Sequence, residues 1–405
     1  MYFMLSWRNL WRNKKRTLIA AASVFFAVLL AVFMRSAQNG SYDYMIHSAA
    51  KIYTGYLQVQ GKGYWDNRSL DKSIIIPEEK LKAISDIPHI ISYSPRLEAF
   101  SLISLGTRTK VGQVIGIDPQ LETNMSELKD KLVRGAYLTS ANQQGLLMGS
   151  GLAEMLKADV GDSIVLYGQG YHGQIAAAQL PVVGIIKMPF PDLDNAVVYL
   201  PLQTAQDIFS AYNRITSLAV MVDNVRHQDQ AHQALSAIIG SDYTIMTWQK
   251  MMPELVQSIE LDNASGIIML IILYIVIAFG VFGTITMMTS ERAREFGVLV
   301  SVGMKKRRLT LVTTLETIVL SFLGAIAGSI VSIPLVAYFH RHPIPITGNA
   351  AKAFENVGVE PIFNFSTDPH IILNQALVVL IIALASALYP CFFIYKLDPV
   401  KAIHG

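Results

Sequence analysis

Residues 290–308, SERAREFGVLVSVGMKKRR, form a short charged segment that separates two long apolar runs of the chain. Apolar residues recur along it at spacings of three and four, at Ala293, Phe296, Val300 and Met304. That spacing is typical of one face of an amphipathic helix. A basic loop that only orients its neighbours would explain the four basic residues at the end of the segment, but not the apolar stripe. We therefore predict a helix over 290–308.

Four apolar runs account for the composition of the chain, which is 52% hydrophobic and 16% charged, with a mean hydropathy of +0.38. Each run is long enough to cross a bilayer, which takes roughly 20 apolar residues. The predicted transmembrane helices are 17–36, 263–289, 309–339 and 370–395. This pattern excludes an ordinary soluble protein and predicts an α-helical membrane protein with four transmembrane helices.

Basic residues are concentrated in three segments beside these helices. Residues 1–16, 290–308 and 396–405 carry net charges of +5, +4 and +1, whereas the whole chain carries +3. Loops rich in lysine and arginine stay on the cytoplasmic side of a membrane. We therefore expect both termini and 290–308 in the cytoplasm. The segment 37–262 and the loop 340–369 then lie on the outer side.

The first 16 residues have the pattern of a helix that lies on a membrane surface. Trp7 and Trp11 are four residues apart, and Arg8 and Arg12 follow them directly. On a helix this places indoles at headgroup depth and cations beside lipid phosphates. We predict a cytoplasmic amphipathic helix over 1–16. The apolar helix that follows is interpreted as an uncleaved anchor, because its end, VFMRSAQNG, lacks a small-x-small cleavage site.

The outer segment 37–262 predicts an α+β domain without a disulfide, because Cys391 is the only cysteine of the chain. Strand-like patterns occur at 55–60, 96–106, 111–117, 163–167, 180–187, 197–200, 215–222 and 243–247. Helical patterns occur at 77–87, 151–158, 202–209 and 228–239. Short elements joined by glycine and proline turns predict small βαβ-like subunits rather than one long sheet. Helical spacing in 37–52 and 252–262 extends the first two transmembrane helices outward as stalks.

The sequence contains none of the motifs that we searched for as signs of catalysis. It lacks a P-loop, a complete dinucleotide-binding fingerprint, the H-E-x-x-H zinc motif and the G-x-S-x-G nucleophile motif. We predict no catalytic residues, no metal site, no cofactor in this chain and no nucleic acid partner. Glu316 lies within the third predicted transmembrane helix, where a charge is costly. We interpret it as a snorkelled or paired structural acid.

Seven stretches occur in the order expected of a known family. They are LSWRNLWRNKKRT (5–17), VGQVIGIDP (111–119), LVRGAYLTSANQQGLLMGSGLAEMLKADVGDSIVL (132–166), VYLPLQTAQDIF (198–209), TWQKMMPELVQSIELDNAS (247–265), ERAREFGVLVSVGM (291–304) and KLDPVKAI (396–403). Together they resemble the FtsX-like, MacB-type permeases of ABC transporters, and most of all the LolC/LolE lipoprotein-releasing type. The resemblance covers nearly the whole chain. It implies a MacB-like periplasmic domain of two subdomains and a place in the bacterial inner membrane.

The same resemblance implies an assembly in which this chain is not itself an enzyme. Two copies of a separate ABC ATPase, which bind ATP and magnesium, would work with two permease subunits, identical or homologous. The ATPase would dock on the predicted helix through Glu291, Arg292, Arg294, Glu295, Phe296, Gly297, Leu299 and Gly303. ATP-driven closure would move the stalks and the periplasmic domain. This mechanical transfer would release lipoproteins from the outer leaflet of the inner membrane.

Two further contact sites follow from the resemblance. Acyl chains of lipids would lie between the first two transmembrane helices of opposing subunits, against Phe26, Leu30 and Phe33. The same three residues equally suit plain lipid-facing or helix-packing roles. A hairpin of the periplasmic domain would recruit a periplasmic lipoprotein carrier. The matching connection here is short and carries Tyr171 and His172.

Two alternative interpretations keep the fold and change the function. A MacB-like exporter of a peptide, an antibiotic or a lipid is one, and the absence of an ATPase domain from this sequence counts against it. The other is an FtsX-like signalling permease that activates cell-wall hydrolases without moving cargo. Such permeases have smaller outer domains than 37–262.

Overall fold

The computed structural model describes residue 11 and residues 14–140, 143–348, 351 and 362–398. These residues belong to two compact units. The helical unit comprises 14–42, 259–345 and 362–398, and the sheet unit is built mainly from 43–258.

Helices form the framework of the helical unit and short connections in the sheet unit. In chain order, the described α-helices are α1 (Lys14–Ala49), α2 (Tyr64–Asn67), α3 (Glu78–Ser85), α4 (Pro119–Ser126), α5 (Ser150–Leu156), α6 (Pro191–Asp194), α7 (Leu202–Ile208), α8 (Gln228–Ile239), α9 (Trp248–Met251), α10 (Pro253–Glu291), α11 (Ala293–Ser301), α12 (Lys306–Arg341), α13 (Pro369–Ser386) and α14 (Leu388–Lys396). A π-helical turn, Ala50–Thr54, follows α1 directly.

Strands form one large sheet and one small hairpin. The strands are β1 (Leu57–Gly61), β2 (Ile90–Leu105), β3 (Arg108–Ile117), β4 (Leu132–Gly135), β5 (Leu146–Gly149), β6 (Ser163–Gln169), β7 (Ile175–Ile186), β8 (Val197–Pro201), β9 (Ser217–Val222), β10 (Tyr243–Thr247), β11 (Ile344–Pro345) and β12 (Ile362–Phe363). The last two pair only with each other among the described residues. The other ten belong to the sheet unit.

The ten strands form a single hydrogen-bonded sheet in the order β10-β1-β9-β2-β3-β8-β5-β7-β4, and β6 pairs with both β2 and β7. The long strand β2 connects its two halves. Residues 90–96 of β2 pair with β9, whereas residues 101–104 pair with β6. The prediction of small separate subunits rather than one long sheet is therefore wrong. It failed because β2, a single strand of 16 residues, runs through both halves of the sheet. The local turn signals in the sequence had suggested separate units instead. The two subdomains that the resemblance implies do not separate as two sheets.

Both faces of this sheet are covered by apolar side chains. Alternate residues of a strand point to opposite faces. Leu146, Met148 and Val198 accordingly belong to one hydrophobic core, whereas Leu147 and Tyr199 belong to another. The helices and loops that cover the two faces make this an α+β domain, as predicted.

Four helical segments are long and apolar enough to cross a membrane: Thr17–Thr54, Pro253–Glu291, Lys306–Arg341 and Pro369–Lys396. This confirms the expectation of four such helices. The first two contain 38 and 39 residues, whereas a bilayer crossing needs roughly 20. Residues 43–54 of the first segment and 253–258 of the second belong to the sheet unit and overlap the predicted stalks 37–52 and 252–262.

Helices α1 and α12 approach each other closely at two glycines. A Cβ atom added at Gly324 would lie 2.7 Å from the carbonyl oxygen of Ala21, and one at Gly328 would lie 2.8 Å from that of Phe25. Real Cβ atoms do not approach so closely, so only glycine permits this contact. Small residues spaced four apart are a common packing motif of membrane helices.

Candidate coupling site around helix α11

The predicted helix over 290–308 is divided into three parts in the structure. Helix α10 continues to Glu291, α11 covers Ala293–Ser301, and α12 begins at Lys306. Gly303 has a φ angle of +104°, a backbone region that L-residues with a side chain rarely adopt. The chain therefore turns at this glycine and cannot continue as one helix. The prediction of a single helix was wrong in this respect, although a helix does occupy the centre of the segment.

The apolar stripe of α11 faces the protein's own helices. Phe296 is only 1% exposed and packs in a cluster with Leu309, Ile394 and Leu397, which lie near the start of α12 and at the end of α14. Val300 and Met304 pack against the edge of this cluster. The stripe thus fixes α11 to the ends of two long helices.

A charged pair secures the start of α11. The Arg292 guanidinium donates through Nη1 to the carboxylate of Glu316, whose side chain is 3% exposed. Arg292 also donates from Nε to Glu295 at 3.4 Å and stacks over the Phe296 ring at 5.1 Å. The interpretation of Glu316 as a paired structural acid is confirmed. Its partner comes from the segment before α11, so the pair links that segment to α12.

The expected docking residues therefore divide into two groups. Phe296 and Gly297 are buried and Arg292 is partly buried, and their contact with an ATPase stays a prediction. Glu291, Arg294, Glu295, Leu299 and Gly303 are exposed.

The structure adds two exposed residues that sequence reasoning missed. They are Val298 and Val302, of which Val302 is 82% exposed. Completing the helical projection from Phe296 would have indicated both, because they lie off the buried stripe. We call Arg294, Glu295, Val298 and Leu299, together with Val302 directly after the helix, the outward face of α11.

A polar cluster joins the second half of α1 to the first part of α10. Arg35 donates to Asn263 at 2.9 Å and to Gln38 at 2.7 Å. Gln38 donates to the Tyr42 hydroxyl at 2.8 Å, and Tyr42 donates to Asp262 at 2.5 Å. The sequence carried a signal for this cluster, because positions 35, 38 and 42 have helical spacing. We call it the α1–α10 polar cluster.

The proposed membrane-surface anchor falls mostly outside the described residues. Trp7, Arg8 and Arg12 belong to the part of the chain that the structure does not describe. Trp11 is exposed, and the Lys14 ammonium lies 6.0 Å from its ring centroid. The anchoring role stays a prediction.

The three candidate acyl-chain residues do not share one environment. Phe26 and Leu30 are exposed on α1. Phe33 instead packs against Phe339 and Phe365, with ring centroids 5.6 Å and 4.9 Å away. The helix-packing role that the sequence left open therefore fits Phe33. Phe26 and Leu30 remain candidates for lipid contact.

The candidate carrier-contacting turn lies between β6 and β7 and is bound to the sheet unit itself. The Tyr171 amide donates to the carbonyl oxygen of Phe209 at 2.8 Å, and the Arg214 guanidinium lies 4.5 Å from the Tyr171 ring centroid. The His172 amide donates to Asp71 at 2.8 Å. Tyr171 and His172 are therefore held against the domain. The more exposed apolar side chains of this hairpin belong to its strands, at Tyr167 and Ile175.

Two sequence families match this chain; the first match ends in α8, and the second begins in α10. The MacB-like periplasmic core domain matches residues 17–238, which is more than half of the chain. The FtsX-like permease C-terminal domain matches residues 267–399. The chain belongs to the MacB-like, FtsX-like family of ABC transporter permeases. The first match contains most of the sheet unit, and the second contains α11.

Three relatives show how far this similarity extends. The lipoprotein-releasing system transmembrane protein LolC of Xylella fastidiosa is 23% identical to this permease over 331 residues, 78% of each chain. LolE of Haemophilus influenzae is 22% identical over 317 residues, 74% of each chain. The macrolide export ATP-binding/permease protein MacB of Acinetobacter baylyi is 18% identical over 96% of this chain and 57% of that longer protein.

Proposed function

We propose that this permease is the inner-membrane subunit of a transporter that extracts lipoproteins from the outer leaflet, driven by a separate ATPase that docks on α11. One observation carries the docking role. The inward face of α11 is fixed by Phe296, whereas Val298, Leu299 and Val302 of the outward face are exposed. A contiguous apolar surface rimmed by charges is typical of a protein–protein contact. Charged neighbours Arg294 and Glu295 supply that rim.

Force on the outward face would reach the long helices through the contacts of α11. Phe296 packs against Leu309 of α12 and Ile394 of α14. The pair between Arg292 and Glu316 adds a second link to α12. A displacement of α11 would therefore act on the ends of α12 and α14 through these contacts.

The outer parts of α1 and α10 would carry this movement further. The α1–α10 polar cluster ties these two helices together at Tyr42 and Asp262. Both helices continue into residues of the sheet unit. Movement of the two helices as a pair is the mechanical step that we assign to this permease. It requires no catalytic residue in this chain.

The lipoprotein cargo rests on the relatives and on the lipid-facing part of α1. LolC and LolE, the relatives at 23% and 22% identity, bear names of a lipoprotein-releasing system. Phe26 and Leu30 present an apolar surface on α1 that suits acyl chains. A second permease subunit would face this surface across the complex. A MacB-like exporter remains the competing function, because MacB also matches nearly the whole chain.

The cargo can be tested by identifying what co-purifies with the complex. The permease is co-expressed with its ATPase, reconstituted in nanodiscs and analysed by mass spectrometry. We expect triacylated lipoproteins to be enriched with the wild type and depleted with a Phe26→Asp/Leu30→Asp variant. Enrichment of another lipid, a peptide or a macrolide instead would contradict the lipoprotein assignment and favour the exporter.

A further inference from the structure

Two histidines and an aspartate meet on the surface of the sheet unit, apart from every contact described above. His89 Nδ1 lies 3.0 Å from one carboxylate oxygen of Asp223, and His227 Nδ1 lies 2.7 Å from the other. The ligand atoms of the three residues all lie within 4.8 Å of one another. It is the one such group of metal-ligating side chains among the described residues.

The sheet register brings two of these residues together. Ile90 of β2 pairs with Val222 of β9, so His89 and Asp223 are the next positions beyond that pair. The amide of Asp223 donates to the carbonyl oxygen of His89 at 2.9 Å, which fixes the two backbones to each other. His89 has a φ angle of +71°, an uncommon value for a residue with a side chain. The fold therefore holds this histidine in a conformation that few residues adopt.

The third residue arrives from the turn that leads into α8. Asn224 accepts a hydrogen bond from the Arg226 amide at 3.0 Å and so closes this turn. His227 follows one turn after Asp223, and its ring lies over that of His89 with centroids 3.8 Å apart. Both rings consequently direct Nδ1 towards the same carboxylate. Two distant segments of the chain thus supply one group of ligands.

We propose that His89, Asp223 and His227 form a binding site for one zinc ion. Zinc is bound by neutral imidazole nitrogen and carboxylate oxygen, often with three protein ligands and a water molecule in the fourth position. For zinc to bind, the metal must replace the protons on Nδ1 of the two histidines. The side chains must also rotate slightly. A bound ion would join the β2 and β9 ends to the start of α8. It would therefore stabilise the sheet unit without entering the transport mechanism.

No sequence motif marks this site, because its ligands come from distant positions in the chain. His89 lies 134 residues before Asp223, so no short spacing such as H-x-x-x-H connects the two segments. Only the pairing of β2 with β9 brings them together. The three side chains of the cluster are themselves partly exposed, so an ion can reach them from solvent.

Zinc binding by the full-length permease tests this proposal. Protein purified without a polyhistidine tag is stripped with a chelator and dialysed against micromolar zinc, and its metal content and thermal unfolding are measured. We expect one zinc ion per wild-type chain and a zinc-dependent rise in melting temperature. His89→Gln and His227→Gln should each weaken zinc binding by at least about tenfold. Mutation of residues that only support a metal ligand already lowers metal affinity by about that factor. The control, His232→Gln on α8, should bind as the wild type does.

Cobalt provides a second measurement, which reports on the coordination of the metal directly. Cobalt bound by nitrogen and oxygen ligands in place of zinc gives a visible absorption band that depends on its coordination. We expect this band in the wild type and in His232→Gln, and its loss in both ligand variants. Equal zinc content and equal cobalt spectra in the wild type and the His89→Gln/His227→Gln double variant would overturn the proposal.

Discussion

Each unit of this permease contains a buried arginine–glutamate pair, and the two pairs differ in how completely they are enclosed. Arg96 and Glu122 of the sheet unit have side chains that are 3% and 1% exposed. Arg292 and Glu316 of the helical unit are 11% and 3% exposed. The first pair is sealed from solvent, whereas the second lies beside the outward face of α11.

The partners of the two glutamates differ in the same way. Glu122 accepts two hydrogen bonds from Arg96, at 2.7 Å and 3.0 Å, and one from the Ser94 hydroxyl at 2.7 Å. Arg292 divides its guanidinium between Glu316 and the exposed Glu295. A fully satisfied pair fixes one geometry. A pair shared with a surface residue connects that surface to the interior. We therefore expect the first pair to act on stability alone, and we call the second, which links Glu295 to α12, the coupling pair after its proposed role.

Removal of the carboxylate from the enclosed pair should have the largest effect on stability. Glu122→Gln leaves Arg96 as a buried charge without its counter-ion, which costs about 3–5 kcal/mol of unfolding free energy. Chemical unfolding of the full-length protein in detergent measures this change. Glu127→Gln is the control, because the Glu127 side chain that pairs with Lys51 is 57% exposed, and an ion pair open to solvent contributes at most about 1 kcal/mol. Equal losses in the two variants would contradict the distinction.

The same pair predicts how stability depends on pH. Burial alone would raise the pKa of Glu122, but the charge and hydrogen bonds of Arg96 outweigh burial and hold the pKa below its ordinary value. An unfolded glutamate titrates near about 4.3. The stabilisation is therefore fully present above that pH and is lost as the pH falls through the lower folded pKa. We expect the difference in melting temperature between wild type and Glu122→Gln to shrink from pH 7 to pH 3. A constant difference would argue against this linkage.

Removal of the carboxylate from the coupling pair should affect transport more than folding. Glu316→Gln leaves Arg292 without its buried partner. This loss should destabilise the packed position of α11 by about 1–3 kcal/mol. Since about 1.4 kcal/mol corresponds to a factor of ten, we expect lipoprotein release in proteoliposomes to fall roughly tenfold. The protein should still elute as a folded species in size-exclusion chromatography.

A paired substitution separates the loss of the link from the loss of charge. In the double variant Arg292→Met/Glu316→Leu, apolar packing replaces the pair, and such replacements are often neutral for stability. We expect this variant to recover part of the release that Glu316→Gln loses. Unchanged release in Glu316→Gln itself would remove the coupling role from this pair.

The smallest effects are expected on α1, where one candidate acyl-chain residue packs inside the protein and another is exposed. Phe33→Ala removes contacts with Phe339 and Phe365. It should lower the free energy of unfolding by about 2 kcal/mol, which is less than the loss of about 3–5 kcal/mol for a fully buried phenylalanine. Phe26→Ala should leave the melting temperature unchanged, because this side chain is exposed. Co-purified acyl chains should decrease only in Phe26→Ala. The reverse assignment would show that Phe33, not Phe26, contacts lipid.

Local patterns in the sequence predicted the elements but not their partners. Every predicted strand and helix of the outer segment overlaps an observed one, because periodicity is a local property. Strands β4 and β5 were missed, since each has only four residues. The single sheet depends on the pairing of β2 with strands far along the chain, which periodicity does not encode.

The candidate site shows the same limit. The apolar stripe through Phe296 was visible in the sequence, but a stripe can face a partner or the chain itself. The structure shows that it faces Leu309 and Ile394, which follow 13 and 98 positions later. Glu316 was interpreted as a snorkelled or paired acid, yet nothing near it in the sequence identified its partner Arg292, 24 residues away. Contacts between distant segments decide which residues remain for docking.

The outward face of α11 is the central claim, and association with the ATPase tests it most directly. Val298→Glu/Leu299→Glu places two charges on this face without disturbing Phe296, and Val133→Glu is a matched change at an exposed valine of the sheet unit. Co-purification of the ATPase and lipoprotein release are measured for both variants. We predict that the double variant loses both the co-purifying ATPase and lipoprotein release, whereas Val133→Glu retains both. Retention of the ATPase and of release by a folded Val298→Glu/Leu299→Glu protein would contradict the account.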